Sequence, residues 1–148
     1  MNQTTNSLAL QLGMALAQCC AKVTAAESCT GGGVAHAITA VAGSSAWFDC
    51  GFVTYANSAK QALLGVPQEV LANQGAVSES VVRHMVEGAA RVASADYAVA
   101  ISGIAGPGGG TADKPVGTVW FAWRSPAGVS AKKYQLSGDR TAVREQAI

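Results

Sequence analysis

The sequence predicts one α/β domain of three layers, a mixed β-sheet flanked by helices. Three observations carry this. Helical and strand-like apolar spacings alternate through the first two thirds of the chain. Two strand-like runs near the end are separated by Pro126-Ala127-Gly128, a hairpin signal. Two glycine-rich stretches each follow a strand-like run, and in sheets of this kind ligands bind beyond the carboxyl ends of strands. The 148 residues suffice for one domain with a real core and are too few for two, so a single domain over residues 1–148 is expected.

In chain order, Leu8, Leu12, Ala15, Leu16 and Cys19 recur at helical spacing and predict an amphipathic helix over about 5–20. Val23 to Glu27 reads as a short strand. Ser28-Cys29-Thr30-Gly31-Gly32-Gly33 is a tight turn, and Gly31 to Thr39 a helix opening from it. Ala42 to Ser45 is a turn, and Trp47 to Tyr55 a strand rich in aromatic and β-branched residues. Asn57 or Ser58 caps a third helix, with Ser58 and Gln61 at capping-box spacing; it stops at Gly65. Pro67 starts another through Leu71, and Ser78 caps the next, whose Val82, Met85, Val86 and Ala89 share a face. Tyr97 to Ile101 is an apolar run suited to a strand buried on both sides. It leads into the second glycine-rich loop, Ser102 to Gly110. Val116 to Trp123 and Val129 to Leu136 form the hairpin, and Gly138-Asp139 caps a last helix that looks cut short.

Hydrophobic residues are 49% and charged residues 13% of the chain, the balance of a soluble globular domain. The net charge is +1 with no Lys/Arg block, which gives no basic surface for nucleic acid. No apolar run approaches the ~20 residues of a spanning helix, and the polar start Met1 to Ser7 lacks the basic flank of a secretory signal, so a cytoplasmic protein is expected. The four cysteines form no C-x-x-C pair, which argues against a zinc or redox site and for free thiols.

The chemistry centres on the two glycine-rich loops. Glycines allow close backbone approach, and the first N–H groups of a helix lack partners within it, so the 28–33 turn suits an anion or a developing oxyanion. Ser28, Cys29 and Thr30 are each candidate nucleophiles beside such donors; equally, Ser28 and Thr30 can simply cap the helix. The stretch is neither a P-loop nor a dinucleotide fingerprint, and Ser28 is not in a Gly-x-Ser-x-Gly elbow. Only His36 and His84 offer imidazoles, and their positions support no Ser-His-Asp triad. Lys60, in the first turn of the third helix, is the better base, with Tyr55 placed to relay a proton or orient it. Its amine would have to titrate well below the usual value of about 10.4. A helix end supplies at most about 2 kcal/mol toward that, so burial or a nearby cation must supply the rest. On spacing alone a solvated surface lysine accounts for Lys60 as well. Arg140 and Arg144 share a helix face and can clamp a phosphate or form exposed ion pairs with Asp139 and Glu145.

Taken together, several stretches resemble one family: Ala26-Glu27-Ser28-Cys29-Thr30-Gly31-Gly32, Gly43-Ser44-Ser45, Gly51 to Asn57 with Lys60, Leu64-Gly65-Val66, Gly75 to Glu79, Gly103-Ile104-Ala105-Gly106-Pro107, Lys114 to Val119 and Gly138-Asp139-Arg140. In order and spacing they are similar to the C-terminal domain of the competence/damage-inducible protein CinA, found also as a stand-alone protein. The match runs from about Leu8 onward, and the molybdopterin-binding-like domain of the longer CinA proteins has no counterpart here. The resemblance implies hydrolysis of nicotinamide mononucleotide to nicotinate mononucleotide and ammonia by a metal-free, cofactor-free Ser/Lys mechanism. It implies Ser28 as nucleophile, Lys60 as base and Tyr55 as its helper. Substrate contacts are expected from Thr30, Gly31, Gly32, Asn57, Ser102, Gly103 and Arg140, the phosphate falling to Arg140 or the second glycine loop. It further implies a homodimer or higher homo-oligomer, with no nucleic acid and no membrane as partner. Two alternatives stand beside it: a non-catalytic nucleotide-binding or regulatory module linked to competence or DNA damage, and an amidase of another small amide.

Overall fold

The computed structural model describes residues 3–148. The strands are β1 (Val23–Glu27), β2 (Phe52–Val53), β3 (Tyr97–Gly103), β4 (Thr118–Ser125) and β5 (Gly128–Gln135). The helices are α1 (Gln3–Cys19), α2 (Gly33–Thr39), α3 (Asn57–Leu64), α4 (Gln68–Gln74), α5 (Glu79–Ala93) and α6 (Arg140–Ala147). The strands form one mixed sheet in the order β2-β1-β3-β4-β5. β1 runs parallel to both β2 and β3, Ala26 opposite Phe52 and Val23 opposite Tyr97. β4 is antiparallel to β3 and β5, and the two last strands form the expected hairpin. This is the three-layer α/β domain that the alternating periodicities predict.

Side chains alternate across β1, so neighbours feed different layers. Ala25 packs with Leu16 of α1, Val34 and Ile38 of α2, and Val143 and Ala147 of α6. Ala26 packs on the other face with Leu64 of α3, Leu71 of α4 and Val82, Met85 and Val86 of α5. Fully burying such a Leu, Val or Met contributes roughly 1.5–3 kcal/mol, and α5 alone buries Val81, Val82, Met85 and Val86 completely. Its start is set as expected: the Ser78 hydroxyl accepts from the Val81 N–H at 3.3 Å. Asp139 likewise accepts from the Ala142 N–H at 2.9 Å and caps α6.

Three boundaries differ from the sequence reading. The strand expected over Trp47 to Tyr55 contracts to Phe52–Val53. Trp47 is instead a core plug at 8% exposure. It follows a 3-10 turn (Ser44–Ala46), and its ring lies where a side chain on Gly13 of α1 would stand. Neither Asn57 nor Ser58 caps α3: Ala56 is at that position and no side chain bonds the exposed first turn. The helix after the first glycine turn opens at Gly33 rather than Gly31, because Gly31 and Gly32 have left-handed φ values of 60° and 98°.

The sheet ends on one side at β2, two residues long, and on the other at β5, whose side chains include the exposed Lys132 and Lys133. Among the described residues no helix is long and apolar enough to cross a membrane.

Candidate active site

Parallel pairing of β1 with β3 brings both glycine-rich loops to the same end of the sheet. They line one cavity of about 270 Å³, with Ser28 and Cys29 from the first loop and Ser102 to Gly109 from the second. Tyr55, Lys60, Ala76, Val77 and Arg140 complete its walls. A larger cavity of about 1150 Å³ lies between α1 and the sheet, lined mainly by apolar side chains such as Leu8, Leu12, Phe121 and Trp123. Its polar lining, Cys19, Ser125, Ser130 and Glu145 among others, is scattered among those apolar side chains, whereas the smaller cavity gathers Ser28 and Lys60 in hydrogen-bond contact.

The nucleophile turn is built around a carboxylate. Glu27, the last residue of β1, is 1% exposed. Its Oε2 accepts from the Thr30 hydroxyl at 2.6 Å, from the Gly32 N–H at 3.0 Å and from the Val34 N–H at 3.1 Å. Its Oε1 accepts from the Ala35 N–H at 2.8 Å. The unpaired donors at the start of α2 therefore already hold an anion, and it is internal. This corrects the expectation that Thr30, Gly31 and Gly32 face a ligand. The Thr30 side chain is fully buried on Glu27, the Gly32 N–H points to Glu27, and the Gly31 N–H donates to the Ser28 carbonyl at 3.1 Å. The signal for Glu27 was in the sequence: an acid immediately before the serine and just upstream of a glycine-opened helix.

Ser28 leaves the strand with its N–H still donating to the Ile101 carbonyl of β3 at 3.0 Å. Its hydroxyl meets Lys60, whose Nζ lies 3.1 Å from Ser28 Oγ. Lys60 Nζ also donates to the carbonyls of Thr54 at 2.6 Å and Tyr55 at 3.2 Å. Lys60 is fully buried, and none of the ion pairs among the described residues involves it. Burial therefore pushes its pKa below the usual lysine value, the neighbouring Cys29 acting in the other direction. Nζ thus meets three oxygens, two carbonyls and the Ser28 hydroxyl; a neutral amine in this place keeps N–H bonds to both carbonyls and turns its lone pair to the hydroxyl. Beside it, the Thr54 hydroxyl is buried without a hydrogen-bond partner among the described residues.

The neighbouring thiol is a different case. Cys29 is 6% exposed, and burial pushes its pKa up to about 11, with its own N–H and Arg144 pulling it down and Glu27 and Lys60 acting in opposite senses. It stays a thiol at neutral pH, whereas the Ser28 hydroxyl has the Lys60 amine in contact.

The remaining sequence candidates fall in three groups. Tyr55 is 60% exposed; its carbonyl, not its phenol, holds Lys60, and the phenol oxygen accepts from Arg140 Nη2 at 3.2 Å. Arg140 also donates to the Gly106 carbonyl at 2.9 Å, so it stands over the second loop. Ser102 and Gly103 line the cavity, whereas Asn57 is exposed at the start of α3 and does not. His36 and His84 lie outside the cavity lining. Among the described residues the N–H groups of Ala105, Gly106, Gly108 and Gly109 have no partner in the protein. The pairing of Arg140 and Arg144 into one clamp does not occur: Arg144 turns to the nucleophile turn instead, on the Cys29 and Thr30 carbonyls.

Known proteins resemble this chain in sequence and in fold. The family model described as "CinA C-terminal domain" matches residues 5–148. The chain is 59% identical over 141 residues to the nicotinamide-nucleotide amidohydrolase PncC of Escherichia coli K12, covering 95% of this chain and 86% of that protein. It is 54% identical over 142 residues to the protein of the same name from Pseudomonas putida, covering 96% and 89%. In structure it is similar to the competence/damage inducible protein CihA from Agrobacterium tumefaciens, with a TM-score of 0.97 at 42% identity over 99% of this chain and 90% of that one.

Proposed function

The chain belongs to the CinA C-terminal domain family, and from that membership we propose that it is a nicotinamide-nucleotide amidohydrolase using Ser28 as nucleophile and Lys60 as base. Its substrate is nicotinamide mononucleotide and its products are nicotinate mononucleotide and ammonia. The observation that carries the mechanism is the 3.1 Å contact between a buried, unpaired amine and the serine hydroxyl. The names of the relatives at 54–59% identity support the substrate.

In the first step Ser28 Oγ attacks the carboxamide carbon while its proton passes to Lys60 Nζ. The amide oxygen becomes an oxyanion, which backbone N–H groups stabilise. With Gly31 and Gly32 already engaged, the Cys29 N–H and the end of β3 at Gly103 are the donors this reading uses. Collapse of the intermediate breaks the C–N bond, and Lys60 returns the proton to the departing ammonia. Water then attacks the acyl-serine, Lys60 again taking a proton and passing it back to Ser28 Oγ as nicotinate mononucleotide is released. The phosphate sits over the second loop, where Arg140 and the unpaired N–H groups of Ala105, Gly106, Gly108 and Gly109 form one anion site. Tyr55 walls this site through its bond to Arg140. Asn57 has no part in the scheme.

The test is ammonia release from nicotinamide mononucleotide by the wild type, Ser28→Ala and Lys60→Ala. Turnover by the wild type and its loss in both variants is expected. Tight nucleotide binding without turnover by the wild type would replace the enzyme with a binding module. Turnover undiminished in Ser28→Ala would remove the mechanism.

A further inference from the structure

We infer that Arg144 is a positioning residue for the nucleophile, holding the backbone of the Ser28 turn so that Oγ stays in contact with Lys60. The inference rests on Ser28 being the attacking group. Arg144 comes from α6, far along the chain, yet its Nε donates to the Cys29 carbonyl at 3.0 Å and its Nη2 to the Thr30 carbonyl at 3.1 Å. Nε and Nη2 lie on one edge of a rigid planar fork, so two successive peptide planes are fixed relative to the helix that carries it. Glu27 grips the same turn from the opposite side through amides and the Thr30 hydroxyl. Between them, and with Ser28 N–H tied to Ile101, the turn is held on its donors and on its acceptors.

The base of the arm is rigid. Val143 is fully buried and Ala147 nearly so, both in the core cluster that contains Cys29 and Val34. Arg144 joins none of the ion pairs found among the described residues, so its bonds to the turn are not competing with a carboxylate. Gly31 leaves room for it: a Cβ there would stand 3.4 Å from Arg144 Nη2, on a backbone with φ 60°. At this distance the charge of Arg144 also lowers the pKa of the Cys29 thiol against the larger effect of burial. Releasing the carbonyls frees the turn to shift, and a misplacement of about 1 Å at a reacting group costs on the order of 100-fold in rate.

The test compares wild type, Arg144→Lys, Arg144→Ala and a control on the same helix, Gln146→Ala, which removes the bond from Gln146 Nε2 to the Ser137 carbonyl. Two rates are read in each: ammonia release from nicotinamide mononucleotide, and labelling of Ser28 by phenylmethanesulfonyl fluoride. In the second, the O–S bond forms, the S–F bond breaks, fluoride leaves and the hydroxyl proton goes to Lys60. Melting temperature is recorded alongside. Both Arg144 variants are expected to lose roughly 10- to 100-fold in kcat and in labelling rate, with KM changed less than about twofold. Added guanidinium ion is expected to restore part of the labelling rate in Arg144→Ala, while Gln146→Ala keeps both wild-type rates. Labelling of Arg144→Ala at the wild-type rate overturns the inference. So does a rate loss in Gln146→Ala equal to that in Arg144→Lys. Wild type that is labelled but releases no ammonia refutes the amidase reading instead, and the labelling rates then decide Arg144 alone.

Discussion

Replacing Lys60 with Met separates what the amine does for the chemistry from what its burial does to the fold. Met keeps the length and the apolar stem and removes the titrating group. At pH 7 two effects of opposite sign meet. The variant loses hydrogen bonds to the Thr54 and Tyr55 carbonyls, and each buried acceptor left unmade costs about 1–3 kcal/mol. It also no longer has to bury an amine that prefers to be charged. The two oppose each other at any one pH, and only the second depends on pH. Lys60 titrates below its usual value when folded, so between its folded and unfolded pKa the unfolded chain binds more protons than the native one. Wild-type stability relative to Lys60→Met therefore rises with pH, by up to ~1.4 kcal/mol per pH unit within that window. The rise stops near the ordinary lysine value of about 10.4. Urea unfolding of both proteins at pH 7, 8, 9 and 10 reads the difference directly, because every other group titrates alike in the two. In parallel, kcat/KM of the wild type should fall as the pH drops through the lowered pKa, since the base is then protonated. Two stability curves that stay parallel from pH 7 to 10 would refute a neutral amine at this site, and the proton route with it.

Other expectations follow from single contacts. Glu27→Gln puts an amide where four donors converge, and should cost about 2–3 kcal/mol in urea unfolding while lowering the rate of Ser28 labelling. Gly88→Ala drives a methyl group into the Leu64 carbonyl, forcing α5 away from α3; overpacking of this kind costs about 1–3 kcal/mol against the roughly 1 kcal/mol that alanine adds to helix propensity, so urea unfolding should show a net loss of up to about 2 kcal/mol rather than the gain of an open helix site. At pH 8 a maleimide should modify exposed Cys19, Cys20 and Cys50 well before Cys29, whose thiol is buried with its pKa at about 11; equal rates measured by mass spectrometry would contradict that environment.

Much of the fold was legible because most elements carry their own periodicity. β1, β3, the hairpin and α5 with its Ser78 cap follow from local spacing and end signals. The segment from Trp47 onward was misread for a physical reason: aromatic and β-branched residues favour strands, but Trp47 is equally able to fill a hole between helices, and only the Gly13 surface decides which. The convergence of Ser28, Lys60, Tyr55, Ser102, Gly103 and Arg140 on one cavity was also legible, since both glycine-rich loops follow strands of the same sheet. Their partners were not. That Tyr55 would serve Lys60 through its carbonyl, or that Glu27 would fill the start of α2, depends on where the chain folds back. The arginines show the limit most plainly. Four-residue spacing put Arg140 and Arg144 on one helix face, but the two side chains diverge to different loops, one to Gly106 and one to Cys29 and Thr30. Spacing defines a face and says nothing of what the face meets.

The two rims of the sheet carry a further consequence. A strand with no neighbour offers its peptide groups to any other extended chain, and such rims template aggregation. At β2 this hazard is limited by brevity, since only two residues are in ladder register. β5 is eight residues long and cannot rely on that, so its exposed Lys132 and Lys133, adjacent in the strand and hence on opposite faces, place a charge on each side of any chain that would add there. Exchanging both for valine would leave the pocket untouched while turning this border into a nucleus for fibrils.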